Sequence, residues 1–176
     1  MQYDYVFKLL LLGEPAVGKT SLILRFVKDS FKSDYMSTIG ANFLVKEVTL
    51  PNDALVMLQI WDIAGQSLEA RYAQSYYAGA AGALFVYDVT RPETLEGLTN
   101  WHNDVQKQAP KELLSVVVGN KNDLEITVPD SAREEMSQKT GSLDSFSTSA
   151  KDGTGVNEAF SALAERLAKQ ADEQRQ

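Results

Sequence analysis

Val6-Phe7-Lys8-Leu9-Leu10-Leu11-Leu12, followed at once by Gly13-Glu14-Pro15-Ala16-Val17-Gly18-Lys19-Thr20, decides the fold of this chain. The first segment is almost continuously apolar, which is typical of a parallel strand buried on both faces. The second segment matches the pattern G-x-x-x-x-G-K-[ST], and the apolar residues from Leu22 to Val27 recur at helical spacing after it. The order strand, glycine-rich loop, helix predicts a phosphate-binding loop.

The chemistry of this loop follows from its residue types. Gly13 and Gly18 let the backbone bend, so that successive N–H groups point into one concavity beside the positive end of the helix. Lys19 can reach terminal phosphates, and the Thr20 hydroxyl can ligate magnesium. A glycine-rich turn without function is disfavoured by the flanking strand and helix, although the loop alone does not separate GTP from ATP. The predicted binding residues are Glu14, Pro15, Ala16, Val17, Gly18, Lys19, Thr20 and Ser21.

The rest of the chain alternates apolar runs with helical patterns, which predicts an α/β fold of the P-loop NTPase type. We expect three layers (α/β/α) and a six-stranded, mostly parallel sheet with about five helices. The short connection Pro51-Asn52-Asp53 predicts a hairpin and hence one antiparallel edge strand. A single helix is predicted over Glu93 to Gln108. Residues 1–176 are predicted to form one domain, with a polar tail at about 168–176 that frays.

Composition excludes several classes of function. The 176 residues carry a net charge of −7 and no cysteine. Disulfides, thiolate metal sites and prenylation are therefore excluded within this sequence, and the acidic balance argues against nucleic-acid binding. We expect a cytoplasmic protein, associated with endomembranes only if the native C-terminus is lipidated.

Two segments carry candidate groups for hydrolysis. Asp62-Ile63-Ala64-Gly65-Gln66 follows a predicted strand, so Asp62 can hold magnesium through water while Gly65 brings its N–H close to the terminal phosphate. Gln66 is then placed to orient an attacking water. In the segment Ser37-Thr38-Ile39-Gly40, the Thr38 hydroxyl can complete the magnesium shell when GTP is bound.

The most discriminating segment is Asn120-Lys121-Asn122-Asp123, which directly follows another strand. A carboxylate at Asp123 accepts from the N1–H and the amino group of guanine, whereas adenine would leave it unpaired. Asn120 can join loops, and the stem of Lys121 can cover the base. In Ser149-Ala150-Lys151, the Ala150 N–H can donate to the guanine keto oxygen.

Together these motifs resemble the Ras superfamily of small GTPases, and its Rab branch most closely. The resemblance covers Tyr5 to about Leu167, and segments such as Phe85-Val86-Tyr87-Asp88-Val89-Thr90 are typical of Rab proteins. The phosphate loop, Leu24-Arg25-Phe26-Val27 and Ser37-Thr38-Ile39-Gly40 are most similar to those of endosomal Rabs. It implies catalytic roles for Gln66 and Lys19 and a monomeric switch in vesicle trafficking. The lack of an insertion near Leu124 to Pro129 argues against the Rho branch.

The resemblance also implies contacts that the residues alone do not. Phe31 is expected to pack against guanine, and Tyr35 to close over the phosphates. A hydrophobic surface from Ile39 to Phe43, with Trp61 and Tyr76, is expected to bind effectors. Exchange factors and GTPase-activating proteins are implied partners through the switch regions, which contain Ser37 to Gly40 and Asp62 to Gln66.

Three features depart from the Rab pattern. The chain has no prenylation cysteine, so membrane association is inferred only by analogy. Ser67 to Tyr72 replaces the usual Glu-Arg-Phe-Arg-type run, and Pro15 and Ala16 stand where Gly or Ser is common. The ring of Pro15 could crowd either an arginine finger supplied by a partner protein or Gln66.

Three alternatives remain at this stage. An ATP-using P-loop enzyme is opposed by Asp123 and by Ser149 to Lys151. A scaffold that binds GTP without hydrolysing it is opposed by Gln66 and left open by Pro15. A Ras-like switch acting away from membranes is favoured if the native chain lacks terminal cysteines.

Overall fold

A computed structural model describes residues 2–31, 41–63 and 70–176. The described strands are β1 (Tyr5–Leu12), β2 (Ala41–Thr49), β3 (Leu55–Ile63), β4 (Ala80–Asp88), β5 (Leu114–Asn120) and β6 (Ser145–Ser147). The described helices are α1 (Lys19–Lys28), α2 (Ala70–Tyr77), α3 (Pro92–Glu96), α4 (Leu98–Gln108), α5 (Asp130–Lys139) and α6 (Val156–Arg175).

The strands form one sheet in the order β2-β3-β1-β4-β5-β6. Every neighbouring pair is parallel except β2 and β3, so the predicted antiparallel edge strand is confirmed. The hairpin between β2 and β3 closes through Asp53, whose N–H donates to Leu50 O at 2.9 Å and whose φ is 65°. A short polar side chain tolerates this left-handed conformation better than most.

The apolar run of β1 is explained by its central position in the sheet. Leu9 and Leu11 pack with α1 and α6 on one face, while Leu10 and Leu12 pack with α2, α4 and α5 on the other. All four leucines are 0% exposed, as expected for a strand covered on both faces. The three predicted layers are therefore confirmed, and β1 delivers the phosphate loop to the carboxyl edge of the sheet.

The helix predicted over Glu93 to Gln108 exists but is interrupted at Gly97, where α3 ends and α4 begins. A Cβ atom built on Gly97 would lie 2.4 Å from Glu14 Oε1. The side chain of Glu14, in the phosphate loop, thus packs directly against this interruption. Because the Gly97 backbone keeps helical angles (φ −60°, ψ −21°), α3 and α4 form one helical region of the described chain.

The predicted polar tail is instead part of a helix, because α6 continues to Arg175. Tertiary contacts hold this end: Tyr5 Oη donates to Asp172 Oδ1 at 2.7 Å, and Gln170 Nε2 donates to Glu112 O at 2.9 Å. Among the described residues, no helix combines the length and apolar character needed to cross a bilayer.

Candidate nucleotide-binding site

The candidate site lies at the carboxyl edge of the sheet, where ligands bind in open α/β folds. The phosphate loop follows β1, Asp62 lies near the end of β3, Asn120 ends β5, and Ser149 to Lys151 follow β6. Thr38, Tyr35, Gly65 and Gln66 lie outside the described residues, so their predicted roles stay predictions. Phe31 is described and is 38% exposed.

Close packing explains both glycines of the phosphate loop. A Cβ atom on Gly18, whose φ is 99°, would lie 2.3 Å from Asn120 Nδ2. A Cβ atom on Gly13 would lie 2.2 Å from the backbone oxygen of Val86. The loop is therefore pressed against β4 and against the first residue of the predicted base-reading segment.

Lys19 is the buried cation of this loop, with only 6% of its surface exposed. Its Nζ donates to Gly13 O and Glu14 O, both at 3.0 Å. Burial lowers the pKa of Lys19 from 10.5 to about 8, and the carboxylates of Asp62 and Glu14 only partly oppose this shift. The loop thus holds a poorly solvated positive charge, which is suited to an anionic ligand.

This burial predicts how the stability of the nucleotide-free protein varies with pH. Because the folded pKa of Lys19, about 8, lies below the unfolded value of 10.5, the unfolded chain binds more protons between these values. The contribution of Lys19 to the free energy of unfolding should therefore rise with pH from about 8 to 10.5. Urea unfolding of the wild type and Lys19→Met across this range measures it. A stability difference between the two proteins that stays constant with pH would contradict the prediction.

Two oxygen ligands meet beside Lys19. The Thr20 hydroxyl donates to Asp62 Oδ2, and Asp62 is 1% exposed. A hydroxyl and a carboxylate are the hard oxygen donors that Mg²⁺ prefers, so this pair fits the predicted metal.

Asn120 joins three segments of the site and is 1% exposed. Its Nδ2 donates to Val17 O at 3.0 Å, in the phosphate loop. Its Oδ1 accepts from Thr148 Oγ1 at 3.0 Å and from Ala150 N at 3.3 Å. One amide therefore fixes the distance between the loop after β1 and the loop after β6.

Asp123 and Ser149 also meet, since Ser149 Oγ donates to Asp123 Oδ1 at 2.7 Å. This bond leaves the second oxygen of the exposed carboxylate for other donors. The two segments predicted to contact the base, one after β5 and one after β6, are thus in direct contact. The candidate site thus has a buried cation, Lys19, at one end and a carboxylate acceptor, Asp123, at the other.

The family comparison agrees with this geometry. The model of the Ras family matches residues 8–169. The chain belongs to the Ras family. The GTP-binding protein YPT1 of Saccharomyces cerevisiae is 40% identical over 176 residues, which cover 98% of this chain and 84% of YPT1. The Ras-related protein Rab-13 of Canis lupus familiaris is 40% identical over 164 residues, covering 92% of this chain and 80% of Rab-13. The Ras-related protein RABD2a of Arabidopsis thaliana is 39% identical over 175 residues, covering 96% and 85%.

The predicted resemblance is thereby confirmed. This chain is a small GTPase of the Rab branch, an enzyme that hydrolyses GTP to GDP and phosphate. Members of the Ras family generally use Mg²⁺ with the nucleotide, in agreement with the oxygen donors of Thr20 and Asp62.

Sequence reasoning missed an acidic residue that supports the phosphate loop of this Ras-family chain. Asp88 ends β4, is 2% exposed, and accepts from Lys121 Nζ at 3.0 Å and Arg91 Nε at 3.2 Å. The same two cations donate to the loop: Lys121 Nζ to Ala16 O at 2.7 Å and Arg91 Nη2 to Pro15 O at 3.0 Å. The sequence did contain a signal for this role, because Asp88 lies at the end of a predicted strand, on the edge of the sheet where the candidate site lies.

The ionised form of Asp88 is favoured. Burial alone would raise the pKa of Asp88, but hydrogen bonds from Thr90 and the contact with Lys121 outweigh burial and lower this pKa below 3.8. Lys121, for which the sequence predicted a contact with the base, therefore also ties the phosphate loop to β4. Its φ of 70° is rare for a residue with a side chain and marks a tightly constrained turn.

Proposed function

We propose that this chain is a GTP/GDP switch in vesicle trafficking, whose phosphate loop and base-reading loops grip one guanine nucleotide. The observation that carries the proposal is the hydrogen bonding of Asn120, which links Val17 to Thr148 and Ala150. A nucleotide is the ligand that requires an anion site and a base site at a fixed separation. Carboxylate Asp123 selects guanine over adenine.

Hydrolysis uses groups that flank the terminal phosphate. Thr20 and Thr38 would ligate Mg²⁺ directly and Asp62 would hold it through water, and the ion would neutralise charge on the phosphates. Lys19 adds a positive charge that is already desolvated before the reaction. Gln66 orients the attacking water, and Gly65 donates to the terminal phosphate. The sequence motifs identify no arginine finger in cis, so we expect slow turnover without a partner.

Gln66→Leu tests the catalytic part of the proposal. The leucine cannot orient water, so single-turnover hydrolysis should slow by about tenfold or more. Binding should be unchanged because Gln66 makes no contribution to the phosphate or base contacts proposed here. Phosphate release after rapid mixing of GTP-loaded protein with Mg²⁺ measures the rate. An unchanged rate would show that another group positions the water.

Nucleotide competition tests the proposed function as a whole. Protein freed of nucleotide should take up GDP and GTP in magnesium buffer, and excess ATP should not displace them. Equal competition by ATP would favour the ATP-using enzyme instead. Uptake of GTP with no phosphate release over hours would favour the non-hydrolysing scaffold.

The proposed partners are effectors, exchange factors and GTPase-activating proteins. Phe43, Trp61 and Tyr76 support an effector surface, because their ring centroids form a chain with separations of 5.1 and 6.0 Å. Phe43 is 46% exposed, so part of this aromatic row is available for contact. We propose action as a monomer in the cytoplasm and on endomembranes where a lipidated C-terminus anchors the protein. Without such an anchor, the same switch would act away from membranes.

A further inference from the structure

Arg25 lies in α1 and connects this helix to the loop after β6. Its Nε donates to Ala150 O at 2.8 Å, and its Nη2 donates to Lys151 O at 2.6 Å. Its Nη1 pairs with Asp29 Oδ1 at 2.9 Å, where Asp29 is 91% exposed and Arg25 only 17%. The guanidinium thus holds two successive carbonyl groups, while its ion pair is at the surface and contributes little.

The carbonyl groups that Arg25 contacts are adjacent to the Ala150 N–H, which is proposed to donate to guanine. Ala150 N donates to Asn120 Oδ1 at 3.3 Å, which is long for an N–H···O bond and can be shared with a second acceptor. The loop is fixed by Asn120 on the inside and by Arg25 on the outside. Because a guanidinium presents its donors in a rigid planar fork, it restrains the orientation of both peptide groups.

Helix α1 therefore contributes side chains both to the phosphate loop and to the contacts of the loop after β6. α1 begins with Lys19 and Thr20, and Arg25 projects from the same helix to Ala150 and Lys151. We infer that Arg25 is a positioning residue for base recognition: it holds the Ala150 N–H toward the 6-keto oxygen of guanine. This inference rests on the proposed function, because Ala150 contacts the base only if the nucleotide binds as described above.

The test compares nucleotides with and without the 6-keto oxygen. Nucleotide-free wild type, Arg25→Gln and Arg25→Lys are titrated in competition with ribose-labelled fluorescent GDP. The competitors are GDP, inosine diphosphate, which keeps the 6-oxygen, and 2-aminopurine riboside diphosphate, which lacks both this oxygen and the N1–H, so the change in affinity between variants is compared for each nucleotide. Arg25→Gln should weaken GDP and inosine diphosphate by about tenfold and the 2-aminopurine nucleotide by less than about twofold. Arg25→Lys, with one point charge in place of the fork, should give a smaller loss of the same pattern.

Asp29→Asn is the matched control. It removes the surface ion pair of Arg25 but leaves both carbonyl contacts, and asparagine tolerates the φ of 49° at this position. Its affinities for all three nucleotides should equal those of the wild type. Equal losses for the three nucleotides in both Arg25 variants would overturn the inference, because a merely structural role affects every ligand alike. A wild type that binds GDP no better than the 2-aminopurine nucleotide would instead overturn the proposed guanine recognition.

Discussion

Asp123→Asn should change the preferred base from guanine to xanthine, lowering affinity for GDP by about 10³-fold. Ser149 Oγ donates to Oδ1 of Asp123, so an asparagine should keep its amide oxygen at that place. Its NH₂ group then replaces the other carboxylate oxygen and faces a donor of guanine. Xanthine carries a 2-keto group where guanine has its amino group, and this oxygen can accept from the new NH₂.

Competition of xanthosine diphosphate and GDP against a ribose-labelled nucleotide measures this change. Asn122→Ala is the matched control, since it alters the preceding residue, whose Nδ2 donates to Ser147 Oγ at 3.1 Å. The control should keep the preference for guanine. If Asp123→Asn also kept it, base recognition would have to be assigned to another group.

Asn120→Ala should weaken both nucleotide binding and folding. The substitution removes the partners of Val17 O and Thr148 Oγ1 and leaves a cavity against Gly18. Leaving buried polar groups without partners should lower the free energy of unfolding of the nucleotide-free protein by about 3 kcal/mol. It also removes the side-chain amide that joins the phosphate loop to the loop after β6, so the two loops are no longer held at a fixed distance. We therefore expect the affinity for GDP to fall by at least about 100-fold.

Urea unfolding and GDP titration measure these two effects separately. Asn103→Ala, at an exposed position of α4, is the control and should change stability by less than about 0.5 kcal/mol. Normal GDP affinity in an Asn120→Ala protein of reduced stability would contradict the role of Asn120 as the link between the two loops. It would leave Asn120 as an ordinary buried amide.

The layers and the loop positions could be predicted because they depend on local patterns. The apolar run of β1 requires cover on both faces, and the short turn at Pro51 to Asp53 requires a hairpin. Polar residues directly after predicted strands identified the loops of the candidate site, since parallel strands place these loops along one edge. The order of the nucleotide-binding motifs along the chain then predicted the family.

What could not be predicted depends on contacts between distant parts of the chain. The side chain of Glu14 occupies the space where a Cβ atom at position 97 would lie, and the helical end of α6 reflects contacts with Tyr5 and Glu112. Arg25 and Arg91 donate to backbone carbonyls that are 125 and 76 residues away. A carbonyl is present at every residue, so no sequence pattern marks the one that an arginine will reach.

The shared carboxylate of Asp88 has a consequence for acid conditions. Lys121 and Arg91 both form ion pairs with this carboxylate, and each also donates a hydrogen bond to one carbonyl of the phosphate loop. Because the pKa of Asp88 lies below its usual value, protonation begins only in stronger acid than a free aspartate requires. We therefore expect mild acid to leave both ion pairs of Asp88 intact, and stronger acid that protonates Asp88 to weaken its contacts with Lys121 and Arg91 together.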